Sequence, residues 1–115
     1  MSHDETSSTL AGDLQRAIDN PSQVDMERLA HDLLRQVSPE AVLRDRTPAG
    51  FRFTVRCILF RVTFTSDRHA VVLQRQHLEA IEWKVVDCGR GRKNRLAGLI
   101  AAIHGVLASK VTPFD

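Results

Sequence analysis

The chain has 115 residues, of which 43% are hydrophobic and 26% are charged. That length is enough for one globular domain and too short for two, and the composition excludes collagen, a disulfide-dense scaffold and a wholly disordered chain. Residues 1–40 hold three arginines against eight acids, whereas residues 41–115 hold thirteen bases against six acids. This uneven distribution of charge along the chain predicts one of two arrangements. Either the basic part forms a surface for an anionic partner, or the acidic part of the chain packs over the basic part.

The first nine residues (MSHDETSST) are polar and acidic, unlike a signal peptide or a transit peptide. We therefore expect a flexible tail over residues 1–9, a single domain over residues 10–115 and a cytoplasmic location. Deletion of the tail is expected to leave the thermal midpoint almost unchanged. The longest apolar run, from Leu96 to Val106, is too short to cross a membrane, so no membrane partner is expected. Cys57 and Cys88 lie in apolar runs and are expected to be buried, reduced thiols.

Two helices are predicted in the acidic part of the chain. Apolar residues at positions 10, 14, 17 and 18 have helical spacing, and Asn20-Pro21 ends this first helix. Ser22 and Asp25 resemble a capping box, after which the second helix carries one apolar stripe of Met26, Leu29, Ala30, Leu33 and Val37. Ser38-Pro39-Glu40 predicts one more helical turn that reaches Leu43, before residues 45–50 break the chain.

Alternation of apolar and polar residues predicts strands from residue 51 onward. The apolar positions are odd-numbered from Phe51 to Cys57 and even-numbered from Ile58 to Phe64. Such a change fits either one long strand with a bulge near residues 57–59 or two strands joined by a tight turn. Because no glycine, asparagine or proline lies there to make a turn, we favour one bent strand.

Two further strands are predicted after this one. Residues 70–76 fit a strand, although the longer segment 67–80 also fits a helix. The next strand is clearer, because Ile81, Trp83 and Val85 alternate with charged residues. These three side chains are expected to lie together on the buried face of the sheet.

A last helix runs from Leu96 to Leu107, where apolar residues recur at helical spacing, and it closes near residues 109–110. Helices and strands are thus segregated along the chain. The predicted fold class is α+β, with N-terminal helices, an antiparallel sheet of about three strands and a C-terminal helix packed on the sheet. The first strand of that sheet is expected to be long and bulged.

A basic segment directly precedes the last helix. From Gly89 it reads Gly-Arg-Gly-Arg-Lys-Asn-Arg, which combines four bases with two glycines. Glycines let the backbone approach a ligand, and the unpaired N–H groups of a helix N-terminus attract anions, so the segment is expected to bind phosphate. The alternative is a solvated turn between a strand and a helix. The predicted anion-binding residues of this segment are Arg90, Arg92, Lys93 and Arg95.

A second group of bases lies on the predicted first strand. Arg52 and Arg56 share one face and are expected to extend the anion-binding surface, whereas Arg61 joins that face only if the strand has no bulge. The four phenylalanines between residues 51 and 64, and Trp83, occupy apolar positions and are expected in the core. Stacking of single-stranded bases on aromatic side chains is therefore not expected.

The run from Gly89 to Ala102 (GRGRKNRLAGLIAA) resembles the closing motif of double-stranded-RNA-binding domains, where a glycine-bearing loop and bases precede an alanine-rich helix. The resemblance implies a helix, three strands and a helix over residues 25–108, with Lys93 and Arg95 as phosphate contacts. In place of two lysines that the family generally has, this run carries an asparagine and a glycine. The family's histidine-bearing loop between its first two strands also has no counterpart, so we do not assign the chain to that family.

The sequence contains no motif of a nucleotide-binding loop, a zinc protease or a serine hydrolase, and its histidines and cysteines lack metal-ligand spacing. We therefore expect no enzyme activity, no metal and no cofactor. The expected function is non-catalytic binding of nucleic acid through its phosphate backbone. The alternative is a protein-interaction module, such as a small inhibitor, adaptor or regulatory subunit of phage or mobile-element origin, that binds an acidic protein surface.

Overall fold

The computed structural model describes residues 3–65, 70–77, 82–86 and 95–108. Within these ranges the chain forms one α+β domain, which confirms the predicted class, but the sheet has five strands rather than about three. The helices are α1 (His3–Asp19), α2 (Met26–Val37) and α3 (Arg95–Ala108). The strands are β1 (Val42–Thr47), β2 (Gly50–Val55), β3 (Ile58–Thr65), β4 (Ala70–His77) and β5 (Lys84–Val86).

Helix α1 begins at His3, well before the predicted start near Leu10, so it contains most of the segment predicted to be a tail. Its apolar residues at positions 10, 14, 17 and 18 are all buried, as the helical spacing indicates. Because the core contacts described for α1 begin at Leu10, the dispensability of the first nine residues stays a prediction.

Helix α2 has the predicted buried stripe, but the predicted capping box is not formed, because Ser22 lies in a short 3-10 helix (Pro21–Gln23) and Asp25 is the cap residue of α2. The Asp25 side chain caps it by accepting a hydrogen bond from the backbone N–H of Arg28 at 3.2 Å. Glu27 in the first turn and Arg35 in the last turn complement the helix dipole. The stripe is buried against the sheet, and Leu34 is buried beside it.

A strand follows α2 where a further helical turn is predicted. Ser38 is extended and its Oγ accepts a hydrogen bond from the backbone N–H of Glu40 at 3.1 Å, so it ends α2 instead of starting a new helix. The chain then enters β1, an edge strand that pairs with β2. Of the β1 residues, Leu43 packs against the core, and the pairing register shifts between Leu43 and Asp45. A strand with one core contact and a register shift gives no regular alternation, which is why the sequence pattern does not reveal it.

β2 and β3 are two strands of a hairpin, and the bulge predicted near residues 57–59 is not there. Val55 pairs with Ile58, so Arg56 and Cys57 alone form the turn. Arg56 has a φ of 58°, a left-handed conformation that costs an ordinary residue about 1–2 kcal/mol. Apolar cross-strand pairs offset that cost, which explains a tight turn without glycine or asparagine. Cys57 is exposed at this turn, which corrects its predicted burial.

The two-residue turn also explains the change of parity in the sequence. Phe53 lies opposite Phe60 and Phe51 lies opposite Val62, so odd positions of β2 and even positions of β3 share the buried face. The rings of Phe53 and Phe60 stack with their centroids 5.1 Å apart. The alternation therefore marks the core correctly, although it comes from a hairpin and not from a bent strand.

The strands form an antiparallel meander in which each strand pairs with the next along the chain. β4 pairs with β3 along its whole length, so the helical alternative for this segment is wrong. β5 is a three-residue edge strand, and its Val85 is 70% exposed. Trp83, just before β5, is half-buried. The prediction that Trp83 and Val85 lie in the core is therefore wrong.

The helices cover one face of the sheet. α1 contacts β3 and β4, α2 contacts β1 and β2, and α3 contacts both other helices. His104 of α3 donates a hydrogen bond from Nε2 to the carbonyl oxygen of Val37 at 2.8 Å, which fixes α3 against the end of α2. Leu99 and Ile103 of α3 complete the core with the phenylalanines of β2 and β3. None of the described helices is both long and apolar enough to cross a membrane.

The opposite face of the sheet, called the open face below, has no described helix packed on it. Its side chains alternate along each strand with those of the core face. By this alternation, the open-face residues are Val42, Asp45, Thr47, Gly50, Arg52, Thr54, Leu59, Arg61, Thr63, Thr65, Ala70, Val72, Gln74, Gln76 and Val85. Arg44, at the register shift of β1, joins them through its hydrogen bond to Thr54.

Candidate functional site

One residue from each strand forms a row across the open face. Asp45 pairs with Arg52, Arg52 with Arg61, Arg61 with Gln74, and Gln74 with Val85. Because neighbouring strands lie about 4.8 Å apart, the row spans roughly 19 Å. Two arginines thus lie directly opposite each other, an arrangement that is unfavourable unless their charges are compensated.

Arg52 is compensated by Asp45. Its Nε donates hydrogen bonds to both carboxylate oxygens, at 2.9 and 3.1 Å, and its Nη2 donates to Oδ2. These hydrogen bonds lower the pKa of Asp45 and raise the pKa of Arg52. Because the side chains are 43% and 42% exposed, solvent screening limits the pair to about 0.2–1 kcal/mol of stability. The pair nevertheless leaves Arg52 with little net charge to offer a ligand.

Arg61 is held differently, by uncharged groups. Its guanidinium carbon lies 4.1 Å from the centre of the Trp83 ring, and its Nε donates to Oε1 of Gln74 at 2.9 Å. Arg61 and Trp83 are both half-buried. In the part of the chain that the structure describes, no acidic side chain pairs with Arg61. The arrangement fixes a full positive charge on the open face.

The two edges of the open face carry a further arginine and exposed apolar side chains. Arg44 of β1 donates from Nε to Oγ1 of Thr54 at 2.9 Å, and it has no acidic partner among the described residues. Val42 on β1 is 48% exposed, and Val85 on β5 is 70% exposed. The open face therefore combines uncompensated arginines with apolar groups in contact with water.

The sequence-predicted site residues fall in three places. Arg52 lies on the open face beside its carboxylate, and Arg56 lies at the hairpin turn, where its Nε donates to Oε2 of Glu40 at 3.1 Å. An acid is therefore already bound to each of these two. Arg95 is the first residue of α3 and is half-buried. The other predicted residues, Arg90, Arg92 and Lys93, lie outside the described residues.

Ion pairs link the acidic half of the chain to the basic half. Glu27 of α2 lies 3.7 Å from Arg46 of β1, in addition to the Glu40–Arg56 pair. The sequence alternative, in which the acidic half of the chain covers the basic half, therefore accounts for the charges of Arg46 and Arg56. It does not account for four bases of the strands that form no ion pair among the described residues, namely Arg44, Arg61, Arg75 and Lys84.

Sequence reasoning missed the Arg61–Trp83 pair for two reasons. The inferred bulge left the face of Arg61 undecided, whereas a two-residue turn places it opposite Arg52. The alternation predicts that Trp83 lies in the core, but in β5 it is Val86 that packs against the core, whereas Val85 and Trp83 are on the side of the open face. The change of parity at residues 57–58 predicts the Arg61–Trp83 pair when that change is interpreted as the turn of a hairpin.

In the described ranges, no three His, Cys, Asp or Glu side chains are grouped so that they could hold a metal ion. Comparison of the chain with models of known families, with curated proteins and with solved structures finds no match. The five-stranded sheet also departs from the three strands that the resemblance to double-stranded-RNA-binding domains implies. The functional interpretation therefore depends on the charges and contacts of this chain alone.

Proposed function

We propose that the protein is a small, non-catalytic binding protein whose ligand is nucleic acid, contacted at its phosphate backbone. The observation that supports this most is the separation of charge between the two layers. The five strands hold six bases and one acid, whereas α1 and α2 hold three bases and six acids. Three of the six strand bases, Arg44, Arg52 and Arg61, lie on the open face, where Asp45 is the one acid among the described residues, so this face carries net positive charge and attracts a polyanion.

Two groups of bases serve this function in the proposal. The first is the basic segment of Arg90, Arg92, Lys93 and Arg95. Arg95 is the first residue of α3, whose N-terminal N–H donors and dipole add to the side-chain charge of the segment. The second is the pair of uncompensated open-face arginines, Arg44 and Arg61. Arg52 and Arg56 contribute less than their sequence positions indicate, because each is held by a carboxylate.

Direct binding to single-stranded DNA, duplex DNA and duplex RNA tests the proposal. We expect measurable affinity at about 50 mM salt, and a linear fall of its logarithm with the logarithm of salt concentration up to about 200 mM. That dependence reports the release of counterions from phosphates. Failure of all three nucleic acids to bind at the lower salt concentration would rule the proposed function out.

An acidic protein surface is the second candidate ligand, and the exposed Val42 and Val85 favour it. Tryptophan, arginine and apolar groups are common at the centre of protein interfaces, where they form the contacts that contribute most to affinity. A protein complex with an apolar centre tolerates salt. Co-purification of one stoichiometric protein at high salt, without nucleic-acid binding, would therefore favour this candidate.

Asp45→Asn is expected to strengthen nucleic-acid binding about threefold at low salt, because it releases Arg52 as one further phosphate contact. The salt slope should become steeper by about 0.7–0.9. Asp13→Asn in α1 is the matched control, since it releases Arg16 with the same change of net charge on the other layer. Because the pKa of Asp45 is lowered, its carboxylate stays ionised between about pH 5 and pH 8 and adds no pH dependence there. Equal effects of the two variants would show that only net charge matters.

A further inference from the structure

Arg61 and Arg52 lie opposite each other on the open face, but their guanidinium groups contact side chains of different charge. Arg52 contacts a carboxylate, whereas Arg61 contacts an indole ring and an amide, both of which are uncharged. Among the described residues, the Nη groups of Arg61 have no hydrogen-bond partner. A guanidinium that is fixed in place and retains free donors loses little side-chain entropy when it binds a phosphate.

Trp83 adds a second kind of contact at the same place. Its ring lies 4.1 Å from the guanidinium carbon of Arg61, and the side chain is half-buried rather than enclosed in the core. Guanidinium planes and indole rings are the flat groups on which unpaired bases stack. The open face therefore holds phosphate donors and a flat stacking surface side by side.

We propose that Arg61 and Trp83 form a binding site for one nucleotide of a single-stranded nucleic acid. The free Nη groups hold the phosphate, and the base stacks on the guanidinium and indole pair. The inference rests on the proposed function and narrows it from nucleic acid in general to single strands. It replaces the sequence-based expectation that bases do not stack on this protein, which assumed that Trp83 lies in the core.

The shape of the open face favours a single strand over a duplex. Base edges of a duplex are read by an element that enters a groove, and the described part of the open face is a sheet without a projecting helix. The side chains around Arg61 on this face, Leu59, Thr63 and Val72, are uncharged, so they do not repel a phosphate. Asp45 is the one acid of the open face as defined above, and Arg52 already neutralises it. The face thus complements an extended, charged strand with exposed bases.

Fluorescence gives a direct test, because Trp83 is the single tryptophan of the chain. The ligand is an oligothymidylate of about 12 nucleotides, a length within the site sizes of known single-strand binders. A hairpin duplex with the same number of phosphates is the comparison. We expect the unlabelled oligothymidylate to quench Trp83, and its fluorescein-labelled form to bind more tightly than the duplex by anisotropy.

Three variants identify the residues responsible. Arg61→Ala is expected to weaken binding of the oligothymidylate about tenfold, the scale of one lost stacking contact. Arg61→Lys keeps the charge without the flat group and should recover only part of that loss. Lys84→Ala is the matched control, since it removes one exposed charge from the other face of the sheet, and its effect should stay within about twofold. Thermal midpoints of the three variants verify that each is folded.

The outcomes separate this inference from the proposed function. If the oligothymidylate binds without quenching Trp83, or if Arg61→Ala and Lys84→Ala behave alike, the site is wrong and nucleic-acid binding stands. Equal affinity for the duplex overturns the preference for single strands. If no nucleic acid binds, the proposed function fails and the inference fails with it. Quenching of Trp83 by polyglutamate in the absence of nucleic-acid binding would assign the face to an acidic protein instead.

Discussion

Replacing Gly50 with alanine is expected to lower the free energy of unfolding by about 3 kcal/mol or more. A Cβ at this position would lie 2.0 Å from the carbonyl oxygen of Val62 and 3.1 Å from the Cα of Thr63. Both atoms belong to the backbone of β3, so no side-chain rotation relieves the overlap. β2 and β3 would have to separate where Gly50 pairs with Thr63. Urea unfolding followed by circular dichroism measures the loss.

Gly105→Ala is the matched control for this substitution. Gly105 lies within α3, is exposed, and has open space where a Cβ would be placed. Alanine there is expected to raise stability by about 0.5–1 kcal/mol, because glycine loses more conformational freedom in a helix. A similar loss of stability in both variants would contradict the steric explanation for Gly50.

Reversing Arg92 and Arg95 to glutamate is expected to abolish nucleic-acid binding while leaving the fold intact. Arg95 is the half-buried first residue of α3 and lies off the buried stripe of Leu96, Leu99 and Ile103. A glutamate at residue 95, the first residue of α3, suits the helix dipole, so the domain should stay folded. The same charges repel phosphate where the proposal needs attraction. Filter binding across a salt series measures the effect, and each lost contact reduces the slope by roughly 0.9 on duplex DNA.

The reversal needs a control with the same change of net charge. Arg16→Glu combined with Arg35→Glu places two glutamates on α1 and α2, the acidic layer. We expect this control to bind nucleic acid nearly as well as the wild type. Unchanged binding by the Arg92→Glu, Arg95→Glu variant would show that the basic segment is only a solvated turn and would direct the search to a protein partner.

The three helices could be predicted because the residues that determine each helix lie within it or directly beside it in the sequence. In α2, one capping aspartate and one stripe of apolar residues determine the start, the direction and the buried face. The same holds for the apolar positions of α1 from Leu10 onward and for the buried stripe of α3. The N-terminal extent of α1 differs, since residues 3–9 have no apolar spacing to mark them as helical. The further helical turn predicted from Ser38 is absent, because Ser38 ends α2 and β1 follows.

The strands were harder because pairing, rather than local sequence, decides where they begin and end. The Arg56–Cys57 turn has no turn-forming residue, and buried cross-strand pairs such as Phe53 with Phe60 hold it in place. β1 forms because the backbone of β2 provides hydrogen-bonding partners for it, and not because its own residues alternate. Tertiary context overrides local propensity in both places.

The candidate site was predictable only in its charge. The sequence shows that bases concentrate after residue 40, but it does not show which of them already hold an acid. Arg52 and Arg56 are compensated by Asp45 and Glu40, whereas Arg61 has no acidic partner in the described part of the chain. That difference depends on which residues face each other across strands, and it follows only from the correct hairpin register.

The meander has a consequence for how the chain reaches its fold. Every strand pairs with its sequence neighbour, so the sheet assembles through short loop closures, which are the fast steps of folding. The contact between α1 and α3 is of the opposite kind, since it joins the two ends of the described chain. On the ribosome, the hairpins can therefore form while synthesis continues, but Leu99 and Ile103 reach the core last. Until they do, part of the apolar surface of α1 and α2 stays in contact with water, and the nascent domain is most prone to aggregate in that interval.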